Sequence, residues 1–344
     1  MKSNVAKVAV IMLNRNQRAK TSRCLESVYA LMLPPDHTVV WDNGSQDDSA
    51  EFLRRQFPQI LLHAHPANLG VASGRNAAAQ LAIDAFAPSH LLFMDNDMVV
   101  MPGFIQALLA PFASGDKKLS QTSAKIKMMH PPHRLEAAGG CQVQFWRGQT
   151  PHLGWGEMDR GQYDRPMRCV AFGGATLFRS DVFQELGGFD PVFDPYGPED
   201  LDFSLRAQKA GYYALYVPEA VVLHERSKTF ENKQYTEKYL SVKTRHWFTF
   251  MRRHASPAEK LAFYLIGGPY TFARMVLRES RKGNITALKG LVRRVALDPH
   301  SEAAKEATHG AISAKRWNMT QPLAGSNGKQ GTGAKRNEGI SGRW

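Results

Sequence analysis

The chain of 344 residues is 43% hydrophobic, 22% charged and 10% aromatic, which suits a folded globular protein and excludes a disordered, collagenous or disulfide-stapled one. Its three cysteines are too few to staple a chain of this length and point to a reducing compartment. The formal net charge of +13 predicts attraction to something acidic: nucleic acid, an anionic membrane surface or a phosphorylated substrate.

The first apolar run, residues 5–13, lacks a small-residue cleavage site and leads into Asn14-Arg15-Asn16, so it reads as a buried strand rather than a signal peptide. A helical pattern through Cys24, Leu25, Val28 and Leu31 follows and stops at Pro34-Pro35. Residues 38–41, 60–62 and 90–94 read as further strands, separated by a helix opened by Asp47-Asp48 and another from Gly70 to Ile83. Strands alternating with helices, without two-residue hairpin turns, predict a parallel sheet with right-handed crossovers. Ligands of such sheets bind beyond the carboxyl ends of the strands, where Asn14, Asp42 and Asp95 to Asp97 fall.

The middle of the chain is punctuated by glycines. A helix is expected from Ser180, a second one carrying Phe203, Leu205 and Arg206, and then two strands, 214–217 and 220–223, the second ending at His224. From about 236 to 297 the pattern is helical, apolar and basic, with many Lys and Arg against Glu237, Glu259, Glu279 and Asp298. Gly267, Gly268, Pro269 and Arg274 interrupt its longest apolar run, so it suits lying on a membrane better than crossing one. Beyond about 301 the composition predicts a disordered tail.

Four places can carry chemistry. Asp95-Asn96-Asp97, at a strand end, presents two carboxylates able to converge on one hard cation, or simply a capped loop. Asp42-Asn43-Gly44-Ser45 is a natural turn whose acid can also accept a hydrogen bond from a nucleoside. Asn68-Leu69-Gly70 with Arg75-Asn76 opens a helix with small residues; it is neither a Gly-x-Gly-x-x-Gly nor a Walker loop, and Arg75 suits either a diphosphate or a solvated helix surface. Glu199-Asp200 at a helix start suits the helix dipole or a general base, and His224 suits a structural role or a metal ligand beside two carboxylates.

Taken in order, Asn14-Arg15, Asp42-Asn43-Gly44-Ser45, Asn68-Leu69-Gly70, Arg75-Asn76 and Asp95-Asn96-Asp97 resemble the donor half of family 2 glycosyltransferases of the GT-A fold. Gly173-Gly174-Ala175-Thr176, Leu186-Gly187-Gly188-Phe189-Asp190, residues 196–202 and Tyr216-Val217-Pro218 ending at His224 resemble the acceptor half, with rhamnosyltransferase-like members nearest. Trp41, where an aliphatic residue is usual, and Pro198 before the Glu-Asp pair depart from the pattern.

The resemblance implies an α/β, mostly parallel sheet flanked by helices, with a catalytic domain over 1–235 (donor half 1–100, acceptor half 101–235), a basic helical extension over 236–300 and a tail over 301–344. It implies a nucleotide-diphosphate sugar as donor and Mg²⁺ or Mn²⁺ as cofactor. Asn14, Asp42, Arg75 and Asp95 would contact the donor, Asp97, Asp95 and His224 the metal, Asp200 would be the base and Glu199 its supporting acid. The expected reaction is inverting transfer to a hydroxyl of a cell-surface glycan or glycolipid precursor. A nucleotidyltransferase acting on sugar phosphates and a basic nucleic-acid-binding protein are the competing readings. The first lacks a glycine-rich phosphate loop, and the second lacks any recognition signature. No nucleic acid is therefore expected as a partner. Residues 240–295 are expected to meet an anionic membrane, the protein being cytoplasmic or peripheral on its inner face.

Overall fold

The computed structural model describes residues 6–171, 174–225 and 237–281. The expected tail over 301–344, the end of the helical extension and Gly173 lie outside the described residues.

Strand β1 (Val8–Asn14) is a continuous apolar run buried on both faces, as expected of a central parallel strand. It pairs in parallel with β2 (His37–Asn43) and β4 (His90–Met94), and β2 pairs in parallel with β3 (Leu61–His65). Helices α1 (Arg18–Tyr29), α2 (Ser49–Gln56) and α3 (Val71–Phe86) make the crossovers. Helix α1 buries Cys24, Leu25 and Val28 against one face of the sheet, in a core with Val10, Met12 and Val40. Helix α3 lays Ala72, Ala78, Ala79 and Ala82 on the other face beside Ile11 and Val39, small side chains that let helix and sheet approach closely.

The rest of the sheet is mixed. After β5 (Met98–Val100), α4 (Phe104–Leu109), β6 (Leu119–Met128), β7 (Leu135–Ala138), β8 (Met167–Cys169) and β9 (Ala175–Arg179) come α5 (Ser180–Glu185), α6 (Glu199–Lys209) and β10 (Tyr213–His224). Among the described residues ten strands form one sheet with the path β3-β2-β1-β4-β9-β6-β10-β5, while β7 pairs with β6 and β8 with β10. Strand β9 runs antiparallel between β4 and β6, so β6 and β10 point the same way as β1 to β4. The carboxyl end of β10, His224, therefore reaches the same sheet edge as Asn14, Asp42 and Asp95.

The two strands expected at 214–217 and 220–223 are one strand. Pro218 cannot donate to the ladder, and the register with β6 shifts between Val217 and Val221, so the chain bulges there and resumes. Beneath the α3 face, Phe93, Phe178, Phe183, Phe189 and Phe203 pack with neighbouring ring centroids 5.0–5.8 Å apart, joining sheet, α5 and α6.

Helices α7 (Glu237–His254), α8 (Pro257–Ala262) and α9 (Gly268–Arg281) end the described chain. Phe250, Met251, Ala255 and Phe263 share a core with Cys141, Phe145, Phe193 and Leu201. Arg253 pairs with Asp190 at 2.7 Å, and His254 Nε2 lies 2.8 Å from Asp202. Part of the basic extension is thus packed on the α/β body. The three cysteines are buried and unpaired.

Candidate active site

The ends of β1, β2 and β4 are tied by one chain of side-chain hydrogen bonds. Asn96 Nδ2 donates to Thr21 Oγ1 at 2.9 Å, Thr21 Oγ1 to Asn14 Oδ1 at 2.7 Å, and Asn14 Nδ2 to Asp42 Oδ2 at 2.6 Å. Asp42 also accepts from the Ser45 amide at 2.9 Å and from the Ser45 hydroxyl at 2.6 Å, which closes the turn after β2. Asn14 and Asp42, both assigned to the donor, are buried and bonded to each other. Asn43 accepts from the Leu69 amide and donates to the Gly70 carbonyl, locking the loop that opens α3.

That loop is also where the N-terminal stretch meets residues from beyond 190. Asp194 Oδ1 accepts from the Ala72 amide at 2.9 Å and Asp194 Oδ2 from the Ser73 amide at 3.2 Å, so a residue from the stretch expected to meet the acceptor caps α3. Gly70 has φ +92°, and a Cβ there would collide with the Asp194 carboxylate. Only glycine satisfies both the left-handed backbone and this close approach.

Arg75 is 8% exposed and engaged twice: Nη2 donates to Asp95 at 2.6 Å and Nη1 to Glu199 at 2.9 Å. Burial alone would lower its pKa, but the charges of Asp95 and Glu199 raise it, so the cation is secured. It is neither a solvated surface group nor pointed at open space. Burial pushes the Glu199 carboxyl up, the neighbouring Asp200 adds to this, and Arg75 opposes it. Asp200 sits in the first turn of α6, with its carboxylate accepting from the Leu201 amide at 2.7 Å.

Asp97 turns the other way. Strand β5 pairs antiparallel with β10, with Met98 opposite His224, and this long-range pairing puts Asp97 Oδ1 3.1 Å from His224 Nε2. His224 Nδ1 lies 2.8 Å from Glu136 on β7, a residue the sequence reading missed. Lys20 Nζ of α1 lies 3.5 Å from Asp97. Burial alone would lower the His224 pKa, but the hydrogen bonds and charges of Asp97 and Glu136 push it up to about 10. Burial would raise Asp97, but His224 and Lys20 hold it below the usual carboxylate range.

The structure pairs Asp97 with His224 and Asp95 with Arg75, and Asp95 still feels the charges of Asp97 and His224. Two like charges in one turn each take their own cation, Arg75 for Asp95 and His224 for Asp97. Among the described residues no three His, Cys, Asp or Glu side chains already converge as a metal cage. What is present is an open pair, a carboxylate oxygen and an imidazole nitrogen. Glu136 behind Nδ1 can fix the tautomer that leaves Nε2 free to ligate. That donor set fits a divalent cation retaining open positions.

Residues 6–248 match the family model described as glycosyltransferase like family 2, well over half of the chain. An N-acetylglucosaminyl-diphospho-decaprenol L-rhamnosyltransferase of Mycobacterium tuberculosis is 26% identical over 289 residues, covering 78% of this chain and 93% of that protein. Among solved structures, GalNAc-T7 with UDP, GalNAc and Mn²⁺ superposes with TM-score 0.57 at 19% identity, over 73% of this chain and 48% of that one. A mannosyltransferase of Pyrobaculum calidifontis in complex with GDP-Man and Mn²⁺ does so with TM-score 0.52 at 18% identity, over 90% and 81%. These matches set aside the nucleotidyltransferase and nucleic-acid-binding readings. The chain belongs to glycosyltransferase family 2 and is a glycosyltransferase of the GT-A fold.

Proposed function

We propose that the chain transfers a hexosyl or deoxyhexosyl unit from a nucleotide-diphosphate sugar to a hydroxyl of a lipid-linked or cell-surface glycan precursor, with inversion and with a divalent metal. The observation that carries this reading is the Asp97–His224 pair, backed by Glu136, at the sheet edge where the donor motifs end. The name of the mycobacterial relative supports a lipid-linked acceptor. The titles of the structural neighbours support a nucleotide-sugar donor with Mn²⁺, and the mixed oxygen and nitrogen donor pair favours Mn²⁺ over Mg²⁺.

In this reading residues 1–100 bind the donor and 101–235 the acceptor. Asn14 and Asp42 shape the nucleoside end, Asp95 faces the ribose and diphosphate, and Asp97 and His224 hold the cation. When bound, the cation offsets the negative charge developing on the departing diphosphate. Asp200 takes the proton of the acceptor hydroxyl as that oxygen forms its bond to the anomeric carbon and the bond to the diphosphate breaks. Glu199, held by Arg75, orients the acceptor side. Arg75 thus acts as a positioning residue between Asp95 and Glu199 rather than as a phosphate ligand.

A panel of nucleotide sugars with Mn²⁺ or Mg²⁺, read as donor turnover by mass spectrometry, tests this. One donor should be consumed, and chelation should stop it; no turnover with any donor would sink the proposal. Asp200→Asn should cut transfer by roughly 10²–10⁴-fold while leaving donor binding by calorimetry intact. A variant that transfers normally would remove Asp200 from the role of base.

A further inference from the structure

Helix α8 starts with a full capping box: Ser256 Oγ accepts from the Glu259 amide and Glu259 reaches back to the Ser256 amide, with Pro257 in the first turn. This fixes the angle at which the chain leaves α7. The segment Phe263–Gly267 is then wound as a π-turn. Its inner side is bound to the body at three points. Phe263 is buried beside Phe145 and Phe250, a Cβ at Gly267 would collide with the Trp146 carbonyl, and Thr271 Oγ1 donates to the Arg147 carbonyl at 2.8 Å.

The outer side is apolar and open. Leu261, Tyr264, Leu265 and Ile266 are 60–68% exposed, and Tyr270 and Phe248 continue the surface. Phe248 and Tyr264 stack with centroids 6.5 Å apart. Exposed large apolar residues scattered singly are ordinary, but four within six positions on a pinned turn form a patch. The patch is rimmed by cations. Lys260 Nζ donates to the Arg252 carbonyl at 3.1 Å, the Arg274 guanidinium lies 5.8 Å from the Tyr270 ring, and Arg245 is exposed one turn before Phe248. From Ser241 to Arg281 the sequence holds two acids, Glu259 and Glu279, against eight Lys and Arg, and Ser256 occupies the Glu259 carboxylate. Among the described residues no helix is long and apolar enough to cross a membrane.

We propose that this ridge, residues 261–266 with Tyr270 and its basic rim, docks on an anionic lipid bilayer, lying in the interface rather than crossing it. An apolar face with cations along its edge matches hydrocarbon below and anionic headgroups around it. Its mounting gives the docking a purpose. The core that holds Phe263 also holds Phe193 and Leu201, and His246 Nδ1 lies 3.0 Å from the Tyr196 carbonyl, so the ridge and the loop before Glu199-Asp200 belong to one packed body. A bilayer held at the ridge brings a lipid-borne hydroxyl to the acceptor side. This purpose rests on the reading of a lipid-linked acceptor; the docking itself does not.

The test is sedimentation of the full chain with vesicles of phosphatidylcholine alone or mixed with phosphatidylglycerol, at low and high salt, alongside turnover of a soluble nucleotide sugar. The protein should sediment with the anionic vesicles at low salt. Leu265→Asp with Ile266→Asp should weaken this about tenfold or more. Lys260→Glu with Arg274→Glu should weaken it about fivefold per charge, an effect lost at high salt. Donor turnover should be unchanged in both variants. Absence of sedimentation at low salt, or equal sedimentation of the Leu265/Ile266 variant, overturns the docking. So does a Leu265/Ile266 variant that changes the molar mass by light scattering but not vesicle binding, since the patch is then an interface between copies. Failure of the wild type to turn over any donor overturns the enzymatic reading and leaves the vesicle result standing.

Discussion

Arg75 and His224 occupy parallel places at the sheet edge. Each lies between two carboxylates, one from the Asp95-Asn96-Asp97 turn and one from a distant element, Glu199 of α6 or Glu136 of β7. Their chemistry separates them. A guanidinium cannot give up its charge, so Arg75 is a permanent strut between donor and acceptor motifs. An imidazolium can exchange its proton, so the place between Asp97 and His224 can pass from a proton to a metal ion. In the function proposed above, one cluster sets distances and the other receives a ligand.

The contrast can be broken from either side. Asp97→Ala should reduce metal-dependent transfer by roughly a thousandfold, because the charge that anchors the cation is gone, while the thermal transition stays cooperative but moves down as His224 loses one of its two carboxylates. Unchanged turnover would remove Asp97 from the metal site. Arg75→Ala should lower the unfolding free energy by about 3–5 kcal/mol in urea titration, since two carboxylates lose their shared buried cation. Arg75→Ala with the stability of the wild type would show that the strut carries no load.

Histidine pH dependence sharpens the difference. In the metal-free protein His224 has its pKa raised to about 10, so its contribution is full below the unfolded value near 6.5 and is lost as pH rises toward 10. The loss should be on the order of 3–5 kcal/mol and absent from His224→Gln. His90 is the counter-case. It is buried against Phe112, and burial, reinforced by Arg179, lowers its pKa to about 4. Its neutral form is favoured by folding, so that stability is present above about 6.5 and falls toward pH 4, by on the order of 2–3 kcal/mol, and the acid slope should vanish in His90→Asn. Slopes of the same sign at the two histidines would contradict the carboxylate account of His224. The smallest expected effect is that of Glu136→Gln, which should weaken metal binding by about 10–100-fold in calorimetry without altering donor contacts.

How much of this was legible depended on distance along the chain. The donor turns could be read because each follows directly on its own apolar strand and consists of residues that make turns by themselves, as in Asp42-Asn43-Gly44-Ser45. Glu136 could not. It lies 88 residues from His224, in Leu135-Glu136-Ala137-Ala138, a stretch of helix formers that pairing with β6 overrides. The two acids of Arg75 are 20 and 124 residues away, so local reading offered only a phosphate or the solvent. Periodicity in the basic extension could not separate a packed face from an open one. Phe250 and Arg253 turned out to pack on the body, whereas Leu265 and Ile266 face outward.

The chain from Asn96 through Thr21 and Asn14 to Asp42 has a further consequence. The donors in the series all point toward the Asp42 carboxylate, and turning over the Asn14 amide would break two bonds at once. The polar groups at the mouth of the sheet are therefore aligned before anything binds. If the nucleotide-sugar donor docks here as proposed, little dipolar reorganisation is left for it to drive on arrival, which lowers the reorganisation energy the site would add to the reaction.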